Sequence, residues 1–237
     1  MKSGDVLKNC FSHIFEPLLD FVFPNYCILC ETRLQQGEAI VCLNCWLRQP
    51  VLTQASTKLD NRSSVAVDTW YVEESFAVWQ FQGEMQRIIH AFKYAQWHGL
   101  SSIMGLAMGG AVLNSPLLST ADLILPVPLH KVRYRERGYN QSSLLACCAA
   151  RICNISVNEK ILTRTRHTSI QARLSSKERL KNVLNAFSVK TPEDVRNKKI
   201  ILVDDVLTTG VTINECARVL IESGASHVYA LTAARVY

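Results

Sequence analysis

Four consecutive aliphatic residues, Ile200-Ile201-Leu202-Val203, run directly into Asp204 and Asp205. Val206 and Leu207 then lead to a hydroxyl- and glycine-bearing stretch, Thr208-Thr209-Gly210-Val211-Thr212. A helical pattern over Ile213–Ser223 follows, ended by Gly224, and then a second strand pattern over Val228–Ala234. A strand that is apolar at every position, rather than at alternate ones, is covered on both faces. Two such strands joined by a helix form a βαβ unit of a parallel sheet. The rest of the chain must then supply further strands and the helices that cover them. Tyr71–Phe81 has strand bias, and Met85, Ile88, Ile89 and Phe92 mark one face of a helix. Ala121–Val127 reads as a buried strand, and Leu144, Leu145, Cys148, Ala149 and Ile152 give a helix over Asn140–Ile152. The expected fold class is α/β, a Rossmann-like parallel sheet with flanking helices.

Upstream of this domain the pattern changes. Phe11, Ile14, Phe15, Leu18, Leu19 and Val22 fall at helical spacing within 5–23, and Pro24 closes the run. Residues 53–66 are polar, which suits a linker and predicts a boundary near residue 60, with an N-terminal module over 1–60 and the sheet domain over 61–237. Charges at Lys2, Asp5, Lys8, His13, Glu16 and Asp20 leave no room for the apolar centre of an export signal, so a cytoplasmic protein is expected. Residues 99–121 carry no charge, but their four glycines, four serines and Pro116 predict a buried helix plus a loop, not a membrane span. Lys and Arg exceed Asp and Glu by 26 to 20, a formal charge of +6, which favours a phosphorylated or nucleic acid partner over a basic one.

Nine cysteines without an export signal point to reduced thiols or metal ligands. Cys27 and Cys30 are separated by two residues, as are Cys42 and Cys45, with eleven residues between the pairs. Two such knuckles can surround one zinc ion with four thiolates, a closed site whose binding energy folds a segment too short for its own core. Cys10, Cys147, Cys148, Cys153 and Cys216 lie on or beside apolar helix faces and are expected in the core.

At the carboxyl end of a parallel strand, the loop over 208–212 opens a helix and so presents free N–H groups, a favourable dipole and threonine hydroxyls to a phosphate. Gly210 lets the backbone approach, and the carboxylates of Asp204 and Asp205 can accept hydrogen bonds from sugar hydroxyls. A sugar 5-phosphate is the natural ligand. No Gly-Lys-Thr/Ser step for a nucleoside triphosphate and no G-x-G-x-x-G for a dinucleotide occurs.

Val203–Thr212 resembles the motif with which type I phosphoribosyltransferases bind 5-phosphoribosyl-1-diphosphate (PRPP). More narrowly, the chain is similar to the ComF/ComFC (GntX-like) family: an N-terminal zinc module, Pro126-Val127-Pro128-Leu129, Arg137-Gly138-Tyr139-Asn140-Gln141 and the PRPP loop, in that order. The resemblance implies a PRPP site of Asp204, Asp205, Val206, Leu207, Thr208, Thr209, Gly210, Val211 and Thr212, with Leu129 and His130 beside the diphosphate. It further implies magnesium bound with PRPP, a single structural zinc, and a role in DNA uptake during natural transformation, in company with single-stranded DNA and a competence helicase. Two functions stay open: a transferase in which Asp204 and Asp205 hold the sugar while diphosphate leaves, as in nucleotide or base salvage, or a DNA-handling protein for which PRPP is a regulatory ligand.

Two basic runs complete the reading. Lys131, Arg133, Arg135 and Arg137 follow Pro128, and Arg164, Arg166, Arg173, Lys177, Arg179 and Lys181 follow the next helix, where this fold carries a loop over the site with Gln171, Arg179 and Asn182 within reach. They are either solvated faces or a track for DNA or diphosphate, with Tyr134 and Tyr139 able to stack bases. His90 and His98 are expected to be packing or surface residues.

Overall fold

The computed structural model describes residues 26–38, 40–52, 56–57, 69–94, 99–166 and 183–236. The helix expected over 5–23, most of the linker, Cys10, His98, Gln171, Arg173, Lys177, Arg179, Lys181 and Asn182 lie outside these residues. Two compact units are present, one reaching Gln49 and the other beginning at Pro50. Val51 bridges Trp79, and β1 (Ser56–Thr57) pairs antiparallel with β2 (Glu74–Gln80), so the described residues just after Gln49 belong with the sheet.

In the first unit the only regular helix among the described residues is α1 (Leu43–Leu47). Its entry is fixed by Glu38, whose carboxylate accepts from the Gln35 N–H at 2.8 Å and the Leu43 N–H at 2.7 Å. These two donors hold the Glu38 carboxyl below its ordinary pKa. Among its described residues the buried apolar groups are few: Val41, Trp46 and the sulfur-bearing Cys27, Cys42 and Cys45.

The second unit is built on a five-stranded sheet of order β1-β2-β7-β6-β3, where β3 is Leu123–Pro126, β6 is Lys199–Leu207 and β7 is His227–Arg235. The β2–β7, β7–β6 and β6–β3 pairs are parallel. Ile200, Ile201, Leu202 and Val203 are all fully buried, as an every-position apolar run requires of a central strand. Alternation sends Ile200 and Leu202 toward α6 (Val211–Glu222), where Cys216, Ala217 and Leu220 meet them. The hairpin of β4 (Leu162–Arg164) and β5 (Phe187–Val189) joins that same layer through Leu162 and Phe187. Further α-helices among the described residues are α2 (Gly83–Tyr94), α3 (Gly99–Leu113), α4 (Lys131–Arg137) and α5 (Gln141–Cys153). Met85, Ile88, Ile89 and Phe92 are buried along α2, one stripe at helical spacing.

Helices α3 and α5 pack tightly because α3 has no side chain at the crossing. A Cβ on Gly105 would lie 2.2 Å from the Cys148 Cβ, and one on Gly109 would lie 2.6 Å from the Ile152 Cβ. Helix α6 ends in a Schellman turn: Gly224, at φ +97°, donates to Ile221 C=O, and Ala225 donates to Leu220 C=O. Of the cysteines expected in the core, Cys216 is fully buried, whereas Cys147, Cys148 and Cys153 are only partly covered. They sit at the flank of α5, Cys147 directed at the Glu159 carboxylate, so the sequence pattern overstated their burial. No helix among the described residues is long and apolar enough to cross a membrane.

Candidate functional site

Parallel pairing brings the ends of β3 and β6 side by side: Pro126 is the partner of Val203, and the Val127 N–H donates to Val203 C=O at 2.9 Å. The segment Val127–His130 and the loop after β6 therefore emerge together at the carboxyl edge of the sheet, where ligands of open α/β sheets gather. β6 continues through Asp204 and Asp205 to Leu207, and the loop proper is Thr208–Gly210. Val211 and Thr212, read as loop from the sequence, form the first turn of α6. Gly210 occupies the N-cap at φ 74° and ψ −8°, a left-handed conformation that strains any residue with a Cβ. The first helical bond runs from the Asn214 N–H to Gly210 C=O at 2.8 Å, so the N–H groups of Val211, Thr212 and Ile213 have no intrahelical acceptor. Thr208 is exposed and Thr209 half-buried beside them. The Asn214 side chain fixes this helix end from behind: it accepts from the Tyr71 N–H at 2.7 Å and donates to Thr69 C=O at 3.0 Å.

The two acids have different surroundings because consecutive strand residues face opposite ways. Asp204 Oδ1 accepts from the Ser142 hydroxyl at 2.8 Å and from the Asp205 N–H at 2.9 Å. Burial raises its pKa to about 6, with the neighbouring Asp205 charge adding, while the Ser142 hydroxyl, the Asp205 N–H and Lys93 oppose the shift. Asp205, 8% exposed, pairs instead with Lys93, Nζ to Oδ1 3.0 Å. Near Asp204 stand the Cys216 thiol, which burial holds well above its usual pKa, and the Arg164 guanidinium, which lies over the Phe187 ring at 5.3 Å. Burial lowers the Arg164 pKa, against the pull of Cys216 and Asp204 and with the push of Arg133. This edge thus offers sugar-hydroxyl acceptors and backbone donors for an anion, with cations beside them.

Of the first basic run, His130 caps α4, its Nδ1 accepting from the Val132 N–H at 3.3 Å, and Leu129 is half-buried next to it. Lys131 and Arg135 are exposed, as is Tyr134. Arg133 is tied to Glu136 at 2.8 Å, and Arg137 reaches the Gln141 Oε1 at 3.0 Å and the Tyr94 hydroxyl at 3.4 Å. The base-stacking role read for Tyr139 is corrected: it is 7% exposed, and its hydroxyl donates to Phe92 C=O. His90 is exposed against the Tyr94 ring, centroids 4.7 Å apart. The ends of the segment carrying the second run are anchored, Arg166 donating to Leu184 C=O at 2.7 Å and the Asn185 N–H to Glu215 Oε1 at 2.7 Å. Lys93 and Ser142 were missed by sequence reasoning. Each is an ordinary helix residue by pattern, and only tertiary contact brings it to the acids.

In the first unit the four sulfurs of Cys27, Cys30, Cys42 and Cys45 all lie within 4.8 Å of one another, and the Cys30 and Cys42 Sγ atoms are 3.7 Å apart. Four zinc–sulfur bonds of ~2.3 Å at tetrahedral angles put sulfurs ~3.8 Å apart, so the set fits. Donors already face the sulfurs: the Cys42 N–H lies 3.4 Å from Cys27 Sγ and Arg48 3.1 Å from Cys45 Sγ. Such donors offset thiolate charge, as outer partners of metal ligands do.

Together these features define an α/β protein with a threonine- and glycine-bearing loop and a helix N-terminus at its sheet edge, and with four cysteine sulfurs grouped in its first unit. The phosphoribosyl transferase domain matches residues 85–236. "DNA utilization protein YhgH" of Escherichia coli O157:H7 is 35% identical over 144 residues, 60% of this chain and 63% of that relative. "Competence protein F" of Haemophilus influenzae is 38% identical over 112 residues, 47% of this chain and 49% of the relative. "Competence protein ComFC" of Bacillus subtilis is 28% identical over 204 residues, 84% and 78% of the two chains. The chain belongs to the phosphoribosyl transferase domain family, and it spans less than two thirds of the length of the first two of these relatives.

Proposed function

We propose that the sheet unit binds PRPP at its carboxyl edge and that the protein serves DNA uptake in the cytoplasm. One observation carries the ligand: the order strand, Asp204, Asp205, Thr208–Gly210 and helix N-terminus, with Gly210 left-handed at the point of approach. In this reading the N–H groups and hydroxyls over 208–212 receive the 5-phosphate, Asp204 and Asp205 accept from the ribose hydroxyls, and Leu129 and His130 line the diphosphate end, which arrives with magnesium. DNA uptake is supported by the competence and DNA-utilization names of the relatives. The four cysteines hold one structural zinc, with no open position for chemistry.

Calorimetric titration with PRPP and magnesium tests the ligand. Asp204→Asn/Asp205→Asn should weaken binding by roughly tenfold per carboxylate, since each loses a hydrogen bond to a charged group. Gly210→Val, strained at φ 74°, should abolish it. Wild-type affinity in the double variant would refute the site. The matched domain's name favours a second reading, transfer of the phosphoribosyl group to an acceptor. Diphosphate release on adding candidate acceptors, single-stranded DNA included, separates it from ligand binding alone. Direct DNA binding should fall as salt rises and should weaken in Lys131→Ala/Arg135→Ala, whose exposed cations are free of the contacts that tie Arg133 and Arg137. Affinity flat in salt would exclude a phosphate track.

A further inference from the structure

The segment Arg137-Gly138-Tyr139-Asn140-Gln141 holds the last turn of α2 in place. The Tyr139 hydroxyl donates to Phe92 C=O, and Gln141 Nε2 donates to Lys93 C=O at 3.3 Å. Arg137 lies over the Tyr94 ring at 5.0 Å and donates to its hydroxyl. Asn140 secures the segment itself, donating to Val127 C=O at 3.1 Å and accepting from the Ser142 N–H at 3.1 Å. A helix C-terminus normally frays, with its last carbonyls left to water. Here consecutive residues on both sides of Lys93 are fixed, and its Nζ is set 3.0 Å from Asp205 Oδ1.

The ligand's charges decide what that ammonium is for. The loop and first turn of α6 account for the 5-phosphate, and the acid pair accounts for the two ribose hydroxyls. The diphosphate on C1, at the other end of the sugar, carries the most negative charge, and two carboxylates beside it repel it. Among the described residues, Lys93 is a cation bonded directly to that pair, through Asp205. By strand alternation Asp205 faces away from α6, so Lys93 approaches on the side opposite the 5-phosphate loop. A lysine ammonium has three donors, one occupied by Asp205 and the others available to diphosphate oxygens.

We propose that Lys93 is a ligand-contacting residue that receives the diphosphate end of the phosphoribosyl ligand, presented there by the Arg137–Gln141 segment. This rests on the PRPP reading above. The test compares PRPP with magnesium against ribose 5-phosphate, which has the same phosphate and hydroxyls and no diphosphate. In Lys93→Met the preference for PRPP over ribose 5-phosphate should shrink by roughly tenfold or more, the loss of a charge-assisted hydrogen bond, while ribose 5-phosphate still binds. Lys93→Arg, keeping the charge, should restore most of the preference. Equal loss of both ligands in Lys93→Met, or an unchanged preference, overturns the proposal while leaving PRPP binding intact in wild type. Wild-type protein that binds neither ligand overturns the PRPP reading itself, and this proposal with it.

Discussion

Asp204 shows how a single carboxyl links stability to function. Its folded-state pKa of about 6 lies above the ordinary 3.8, chiefly because burial penalises the charged form. Across that interval the folded protein binds more protons than the unfolded chain, so stability falls as pH rises and stays reduced above it. The upper bound is roughly 3 kcal/mol, two pKa units' worth. Asp204→Asn preserves the oxygen that accepts from Ser142 and from the Asp205 N–H, and removes the charge. The variant should therefore match wild type below pH 3.8 and exceed it in stability above pH 6, while binding PRPP more weakly. Urea denaturation at the two pH values measures this. A variant less stable than wild type at neutral pH would mean that the Asp204 charge is compensated in the fold. Asp205, paired with Lys93, contributes differently: removing its charge leaves the ammonium without its partner.

At the level of elements, the α3–α5 crossing is governed by what α3 lacks. Gly105→Ala drives a Cβ to 2.2 Å from Cys148 Cβ and 3.3 Å from backbone atoms of α5, and the helices must separate. A loss of about 1–3 kcal/mol is expected. Gly110 lies one residue beyond Gly109, with nothing within 4 Å of its added Cβ, and Gly110→Ala should instead stabilise by up to about 1 kcal/mol through helix propensity. Melting both variants checks the pair, and equal effects would sink the packing account. The same crossing shows what the sequence could and could not say. The helix and loop expected over 99–121 are present, the helix Gly99–Leu113 being too short to cross a membrane, but nothing local revealed which of its glycines face α5. The β6–α6–β7 unit was legible nearly to the residue because its signals are local: an every-position apolar run, a loop and a Gly224 stop. Tyr139 was misread because an aromatic among arginines has a surface pattern, whereas its burial is set by Phe92, 47 residues away. Lys93 was invisible for the same reason.

For the whole molecule, the two units owe their stability to different physics. The sheet unit buries both faces of a central strand, and the family match at 85–236 lies wholly within it. Among the described residues of the first unit, Val41 and Trp46 are the buried hydrocarbon side chains, joined by Cys27, Cys42 and Cys45. Structural zinc contributes about 10–16 kcal/mol to such a segment, comparable to or greater than the ~5–15 kcal/mol net stability of an entire domain. On the proposed zinc reading, removing the ion should leave the four thiolates uncompensated and unfold the chain around them. Purified protein should therefore contain about one zinc per chain, as four thiolates saturate one tetrahedral site. A strong chelator should release it and raise amide hydrogen exchange across 26–49, while exchange in β6 and β7 and the affinity for PRPP stay unchanged. Cys27→Ser/Cys42→Ser should reproduce the chelated state without chelator, because two ligands cannot hold the ion. Protein that carries no zinc, or a four-cysteine segment equally protected before and after chelation, would remove the metal from this account. Parallel loss of zinc and PRPP affinity would instead make the cysteine unit a working part of the ligand site.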